Sequence, residues 1–353
     1  MTSFLQLFAG VLMSTLELIT HEPPLKLMQI LHSRWAVRTL RSGVELDVFS
    51  RLSEKAKTAQ QLSAELNVPA AGLELLLNAL TSMEFLEKST ANEYKSTRVA
   101  QLYLNKKSNL YMGEYVQDDT VEKAWDKLTD SLRAGKPVAQ VNQDAKAEDF
   151  FPKLAANIFP MNYGTAHVLA TELKVEQLPE GTRVLDVAAG SGVWSLPLAE
   201  RNKNVHVEAL DFPAVLEVTK EFAKRHGVDK QFSYISGNWS ECELKADSYD
   251  IILLGHILHS EGKKRSEELL KECHRCLKSG GKIVIAEMIS DNARKEAVSS
   301  QLFALNMFLL TEDGCVFTEQ EMFDMLKAAG FKNASRPQLP QWGPESPIVI
   351  AVK

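Results

Sequence analysis

Alternating strand and helix signals, a tight loop of small residues and an acid after the following strand together predict an α/β protein. The expected fold is a doubly wound, mostly parallel sheet, preceded by a helical domain with a winged-helix pattern. The alternation runs as strand Arg183–Ala188, helix Val193–Arg201, strand Val205–Leu210, helix Pro213–His226 and strand Phe232–Ser236. It continues as strand Tyr249–Leu254, helix Lys263–Leu277 and strand Lys282–Glu287. Strands joined by helices of this length need crossover connections, which give a parallel sheet covered on both faces. Helices over Ser299–Leu310 and Glu319–Ala329 and a final strand over Ile348–Val352 complete the expectation.

The 353 residues leave room for more than one domain. We expect a winged-helix domain over 1–104, a helical connector over 105–178 and the α/β domain over 179–353. Pro24–Arg41 is periodic, and Gly43–Leu52 reads as a further apolar helix. Thr58 and Gln61 have the spacing of a capping box and open a helix to Leu66. A second helix follows over Ala71–Met83, and Phe85–Lys88 with Glu93–Lys95 flank a turn at Ser89–Asn92, which makes a two-stranded wing. From 105 to 178 the pattern is helical, with a polar low point at Gln140–Glu148 read as a loop.

Several function classes are disfavoured by composition. The formal charge of -6 argues against wholesale binding of nucleic acid or anionic membrane, which reward basic faces. The would-be recognition helix at 70–83 contains no Lys or Arg to meet phosphates, and its leucine stripe suits packing. No apolar run approaches the length of a membrane span. Met1–Thr20 lacks a basic start and a small-residue cleavage site. It reads as an amphipathic helix, Phe4–Ile19, that packs on something, with a second subunit as one candidate. Four cysteines do not make a disulfide framework in a chain this long. Cys273 and Cys276 form a C-x-x-C on a predicted helix with no second ligand pair, so we expect buried thiols, no metal and a reducing cytoplasm.

The segment 184–194, VLDVAAGSGVW, carries the most information. A buried strand ends in Asp186, small residues lead through Gly190 and Gly192, and a helix opens. Such a loop lets backbone approach a ligand closely at a helix N-terminus. Asp211 stands 19 residues after Gly192, at the end of the next strand, where a carboxylate can accept both hydroxyls of a ribose. A dinucleotide fingerprint needs a third glycine where Ser195 stands. An acid four residues ahead of the glycine pair is instead the pattern of S-adenosylmethionine sites. A nicotinamide cofactor and a ligand-free glycine turn are the competing readings.

With these residues in view, the chain resembles the class II, plant-type small-molecule O-methyltransferases, which include hydroxyindole and caffeate enzymes and many bacterial tailoring enzymes. The resemblance spans nearly the whole chain and implies a Rossmann-like class I methyltransferase fold with an N-terminal winged-helix dimerisation domain. Asp186, Ala188, Gly190 and Gly192 match the family's glycine-rich motif, with Ala188 in place of its usual first glycine. Asp211-Phe212-Pro213 matches the ribose-binding motif. Gly237-Asn238-Trp239 matches the motif beside the adenine, with Asn238 in place of an aspartate. The implied cofactor is S-adenosyl-L-methionine. The implied partners are a small-molecule acceptor and a second copy of the chain, held through the N-terminal domain.

Methyl transfer from sulfonium to oxygen is an in-line displacement, so the protein must align the acceptor and remove its proton. Histidine suits that task near neutral pH. His256 and His259 follow the strand Tyr249–Leu254 at its carboxyl end, and Glu287 closes the next strand, where it can orient a histidine. The resemblance assigns the base to His259 and an assisting role to Glu287. The family's Asp-Trp pair after the histidine is here Ser260-Glu261, and its second helper glutamate falls on Val316. His256 reads as a substrate-lining or structural residue. Asn306 and Met307 match positions lining the acceptor pocket, and an Asn there can also be purely structural. Phe159, Met161, Asn162 and Tyr163 are candidates for covering cofactor and acceptor, with ordinary core packing as the alternative. C-methylation, a non-methylating use of the same cofactor and a winged-helix regulator are the other functions considered.

Overall fold

The computed structural model describes residues 24–138, 141, 144–337 and 348–353. The predicted helix Phe4–Ile19 lies outside them. The chain divides into two compact units, residues 1–117 and 118–353.

The first unit runs α1 (Leu25–Glu45), α2 (Val48–Arg51), β1 (Lys57–Thr58), α3 (Ala59–Leu66), α4 (Ala70–Ser82), β2 (Leu86–Lys88), β3 (Glu93–Ser96), α5 (Arg98–Tyr103) and α6 (Gly113–Gln117). The helix expected over Gly43–Leu52 is interrupted, because Asp47 adopts a left-handed φ of 56° between α1 and α2. Thr58 caps α3 as its spacing implies: its hydroxyl accepts from the Gln61 N–H at 3.3 Å, and the Gln61 side chain accepts from the Thr58 N–H at 2.9 Å. Leu73, Leu77 and Leu80 of α4, spaced to share one face, are all buried with Phe49, Leu62 and Tyr94. The leucine stripe is thus core. The wing is real, and β1 extends it to a three-stranded sheet of order β1-β3-β2. Leu25, Leu27, Ile30, Leu31 and Trp35 of α1 remain exposed.

The second unit opens with α7 (Thr120–Trp125), α8 (Leu128–Ala134) and the long α9 (Asp144–Glu172). The loop expected through Glu148 therefore gives way to helix from Asp144. Next come β4 (Arg183–Val187), α10 (Leu196–Arg201), β5 (His206–Asp211), α11 (Pro213–Arg225), β6 (Phe232–Ser236), β7 (Tyr249–Gly255) and α12 (Leu258–Cys276). The chain continues through β8 (Leu277–Ala286), β9 (Ile289–Ser290), α13 (Val298–Leu310), β10 (Phe317–Thr318), α14 (Glu319–Ala328), β11 (Lys332–Ser335) and β12 (Ile348–Val352). The seven-stranded sheet has the order β11-β12-β8-β7-β4-β5-β6. Neighbours pair in parallel except β12, which runs antiparallel to β8 and β11. Strand order reverses between β4 and β7, and ligands of open α/β sheets bind at the carboxyl ends beside such a switch point. Leu185, Val187, Ile252, Leu254, Ile283 and Ile285 bury the strands on one side.

Three expected boundaries move, one of them the strand expected from Lys282, which begins at Leu277. Helix α10 begins at Leu196, not Val193, because Gly192–Ser195 forms a turn closed by the Ser195 N–H on the Gly192 carbonyl. Helix α12 begins at Leu258, five residues early, and breaks at Gly262, where φ is 72° and ψ 173°.

Candidate active site

The carboxyl ends of β4 and β5 bring the predicted cofactor residues together. Asp186 is buried; one carboxylate oxygen accepts the Ser195 hydroxyl at 2.5 Å, and the other has no hydrogen-bond partner among the described residues. Burial pushes its carboxyl up to about 7, the Ser195 bond opposing and the Asp211 charge adding to the rise. The loop beyond it needs left-handed backbone: φ is 54° at Ala188, 58° at Gly190 and 73° at Gly192. An alanine pays a steric penalty there that glycine does not. The Gly190 and Phe212 N–H groups each donate to one oxygen of Asp211 at 2.8 Å. Burial still carries Asp211 up to about 6 against those two bonds. Thr219 of α11 donates to the Gly190 carbonyl at 2.7 Å, which ties the loop to the helix after Asp211.

Gly237 follows β6, and its N–H donates to the Asp211 carbonyl at 3.0 Å, placing Gly237-Asn238-Trp239 beside Asp211. The Asn238 side-chain oxygen accepts from the Ser240 N–H and hydroxyl at 3.1 and 2.9 Å. It caps its own turn. Trp239 is buried, and its indole donates to Glu261 at 3.2 Å.

On the other side of the switch point, Glu287 follows β8 and is fully buried. Its carboxylate lies 2.5 Å from His259 Nδ1 and accepts the Met288 and His259 N–H groups at 2.8 and 3.2 Å. His256 Nδ1 stands 3.7 Å from the same oxygen. Burial alone would raise Glu287, but the charge of His259 and hydrogen bonds from both histidines outweigh it and hold the carboxyl well below its usual range. A carboxylate on Nδ1–H selects the tautomer whose Nε2 keeps a free lone pair. The ligating atoms of His256, His259 and Glu287 all fall within 4.8 Å of one another. Two ligands of one tetrahedral zinc would sit about 3.3 Å apart, so the 2.5 Å contact is that of a hydrogen bond.

Local backbone explains how the histidines are presented. His256 takes a left-handed φ of 61°, and its N–H bonds the Ala286 carbonyl at 2.8 Å. Gly255 beneath it lets the Trp194 ring pack where a Cβ would stand. His259 occupies the short helical turn before the Gly262 break. The break admits residues 311–316: a Cβ at Gly262 would lie 2.5 Å from the Asp313 carbonyl oxygen, while the Cys315 N–H holds the His259 carbonyl at 2.8 Å. Val316 is buried, and its backbone carbonyl accepts from Arg294 at 2.8 Å.

The remaining candidates separate. Phe303 of α13 meets the His259 ring edge-on at 4.9 Å between centroids. Asn306 lies one turn further, its side-chain oxygen accepting the Trp125 indole N–H at 2.9 Å, and Met307 is buried beside it. Phe159 and Tyr163 show the core packing given as the alternative to a covering role. Phe159 is 1% exposed and stacks on Tyr163 and Phe222, and the Tyr163 hydroxyl donates to Glu200 at 2.8 Å, 3.3 Å from His226 Nδ1. They fasten α9 to α10 and α11. Asn162 is buried on α9 and Met161 half-buried. Ser195, Trp194, Phe303 and Trp125 were not singled out from sequence. Ser195 alone left a signal, since it stood at the third position of the glycine pattern.

The strand order with its antiparallel β12, the acid before the glycine loop and the acid after β5 define an S-adenosylmethionine-dependent methyltransferase of Rossmann-like class I fold. The unpartnered Asp186 oxygen suits the cofactor's ammonium, and Asp211 suits its ribose hydroxyls. An O-methyltransferase domain model matches residues 140–332 and an O-methyltransferase dimerisation domain model matches 28–106. The chain belongs to the O-methyltransferase domain family. Tetracenomycin polyketide synthesis 8-O-methyl transferase TcmO of Streptomyces glaucescens is 26% identical over 319 residues, covering 87% of this chain and 91% of the relative. The 3-hydroxy-5-methyl-1-naphthoate 3-O-methyltransferase of Streptomyces sahachiroi is 26% identical over 313 residues, covering 87% and 89%. Human N-acetylserotonin methyltransferase in complex with SAM superposes with a TM-score of 0.76 at 20% identity, covering 94% of this chain and 98% of that one. No helix among the described residues is long and apolar enough to cross a membrane.

Proposed function

We propose that the chain methylates a hydroxyl of a small aromatic or conjugated molecule, with His259 as general base and Glu287 as its orienting partner. The observation that carries this reading is the 2.5 Å contact between a buried, ionised Glu287 and His259 Nδ1. S-adenosylmethionine, when bound, supplies an electrophilic methyl group. Asp186, the Ala188–Gly192 loop, Asp211, Phe212 and the 237–239 turn would hold it. His259 Nε2 takes the acceptor's proton, and Glu287 stabilises the imidazolium that results. His256, Phe303, Asn306 and Met307 would line the acceptor side. The two relatives named for 8-O and 3-O transfer, one of them on a hydroxynaphthoate, support an aromatic hydroxyl as the acceptor. The dimerisation-domain match and the exposed apolar face of α1 support a homodimer through the N-terminal domain. Neither nucleic acid nor membrane enters this reading.

Val316 keeps C-methylation as a second reading. No side-chain carboxylate stands there to help a hydroxyl lose its proton, and an enolate or phenolate can also react through carbon. Incubation with methyl-labelled cofactor and a panel of phenols and hydroxynaphthoates, with products assigned by NMR, separates the two. We expect O-methyl ethers. His259→Gln should lower kcat by about 10²–10⁴ and leave S-adenosylhomocysteine affinity unchanged. Full activity in that variant would remove histidine from the base role.

A further inference from the structure

Trp125 fixes which way the Asn306 amide is turned. An indole N–H can only donate, so the Asn306 atom facing it at 2.9 Å must be the carbonyl oxygen, whichever way an amide might otherwise be turned. That leaves the Asn306 NH2 as the group free for a ligand, and it makes no hydrogen bond among the described residues. Phe303, one turn earlier on α13, packs edge-on against His259, so Asn306, three residues on, shares the face of the helix that carries that contact. The hold on Trp125 is built rather than incidental. Ala124, Leu309 and Leu310 bury together with Trp125 packed on them, and the Val138 and Val141 N–H groups bond the Leu309 and Leu310 carbonyls at 3.0 and 2.9 Å.

We infer that Trp125 is a positioning residue for acceptor choice. By occupying the Asn306 oxygen it makes that side of the pocket donor-only. The preferred acceptors are then hydroxylated aromatics that carry a second oxygen acceptor, such as a ketone, quinone or carboxylate, on the same ring system as the reacting hydroxyl. This rests on the acceptor side proposed above. A plain phenol leaves the amide N–H unpaired, and a site built around a hydrogen bond rejects analogues that lack its partner.

The test is binding in the presence of S-adenosylhomocysteine, measured separately from turnover. The probes are 6- and 8-hydroxy-1-tetralone, each against the tetrahydronaphthol that lacks its ketone. One ketone at least should bind about tenfold more tightly than its partner, the size of one buried hydrogen bond. Trp125→Phe keeps the ring but not the N–H, and should bring that ratio near one while S-adenosylhomocysteine affinity holds. Asn306→Asp puts an acceptor where the donor stood and should erase or invert the ratio, which covers the case in which Trp125→Phe fails to fold. Equal affinity for ketone and plain phenol in the unaltered protein, no binding of either, or an unchanged ratio in a folded variant would overturn the inference. Discrimination in binding without methylation of any probe would support it and count against the O-methyltransferase reading instead.

Discussion

Asp186 keeps one oxygen on Ser195 and has no partner for the other among the described residues, while burial holds its carboxyl near 7. A folded pKa raised above the unfolded value contributes stability below the ordinary carboxylate range, and that contribution is lost as pH rises through about 7. An ammonium placed against the free oxygen reverses the balance and favours the carboxylate. Cofactor binding near pH 6.5 should therefore release a proton, and affinity should rise with pH up to about 7. Calorimetry in two buffers of different ionisation enthalpy reads this directly: the apparent enthalpy should differ between buffers, and the difference should shrink in Asp186→Asn to the part that Asp211, raised to about 6, contributes. Identical enthalpies for the unaltered protein would mean that Asp186 is already ionised. At this scale much of the site was legible. Asp186, Asp211 and Glu287 stand out as acids at the ends of expected strands, while His259 is set apart from His256 by the family resemblance. Trp125 could not be found that way, because its partner Asn306 lies on a different helix far along the chain.

Helix α12 shows how an element can be read nearly right and still hide its function. Its apolar periodicity begins after Gly262, so the preceding turn reads as loop, yet that turn carries His259. The left-handed glycine separates the two segments and lets the Asp313 backbone press against the gap. Gly262→Ala would force a side chain into left-handed backbone at about 1–2 kcal/mol, and would press its Cβ on the Asp313 carbonyl besides. Thermal unfolding should show the loss of stability, and kcat should fall as the Cys315 contact with the His259 carbonyl shifts. Wild-type stability and turnover would mean that the loop yields freely. The parallel strands β4–β8 were legible because they are short, apolar and bounded by turns. Strand β11, with the polar sequence Lys332–Ser335, was not, since it borrows its order from pairing with β12 and buries little of its own.

For the whole molecule, α1 sets the next expectation. Leu25 is 64% exposed, Ile30 62% and Trp35 68%, a density of apolar surface that single chains seldom leave in water. Obligate interfaces resemble a core cut in half. Light scattering should find a dimer at micromolar concentration, and Ile30→Glu with Trp35→Glu should give a folded monomer. A dimer that survives both substitutions would place the interface elsewhere. The sheet of the second unit carries a consequence of another kind. Its interior strand β12 is the last of the seven in sequence, yet it lies between β8 and β11 and pairs with β8 along its full length, Ile348 to Val352. A ribosome therefore delivers β8 well before the strand that will cover it. During that interval the apolar Ile283–Ala286 run has an open flank, the kind of edge that recruits strands from neighbouring chains. Closing it is a long-range step whose rate is set by loop closure as much as by local propensity. The nascent enzyme thus passes through a stage in which its cofactor loop can already be formed while its sheet is still adhesive, and its yield in a cell depends on how briefly that stage lasts.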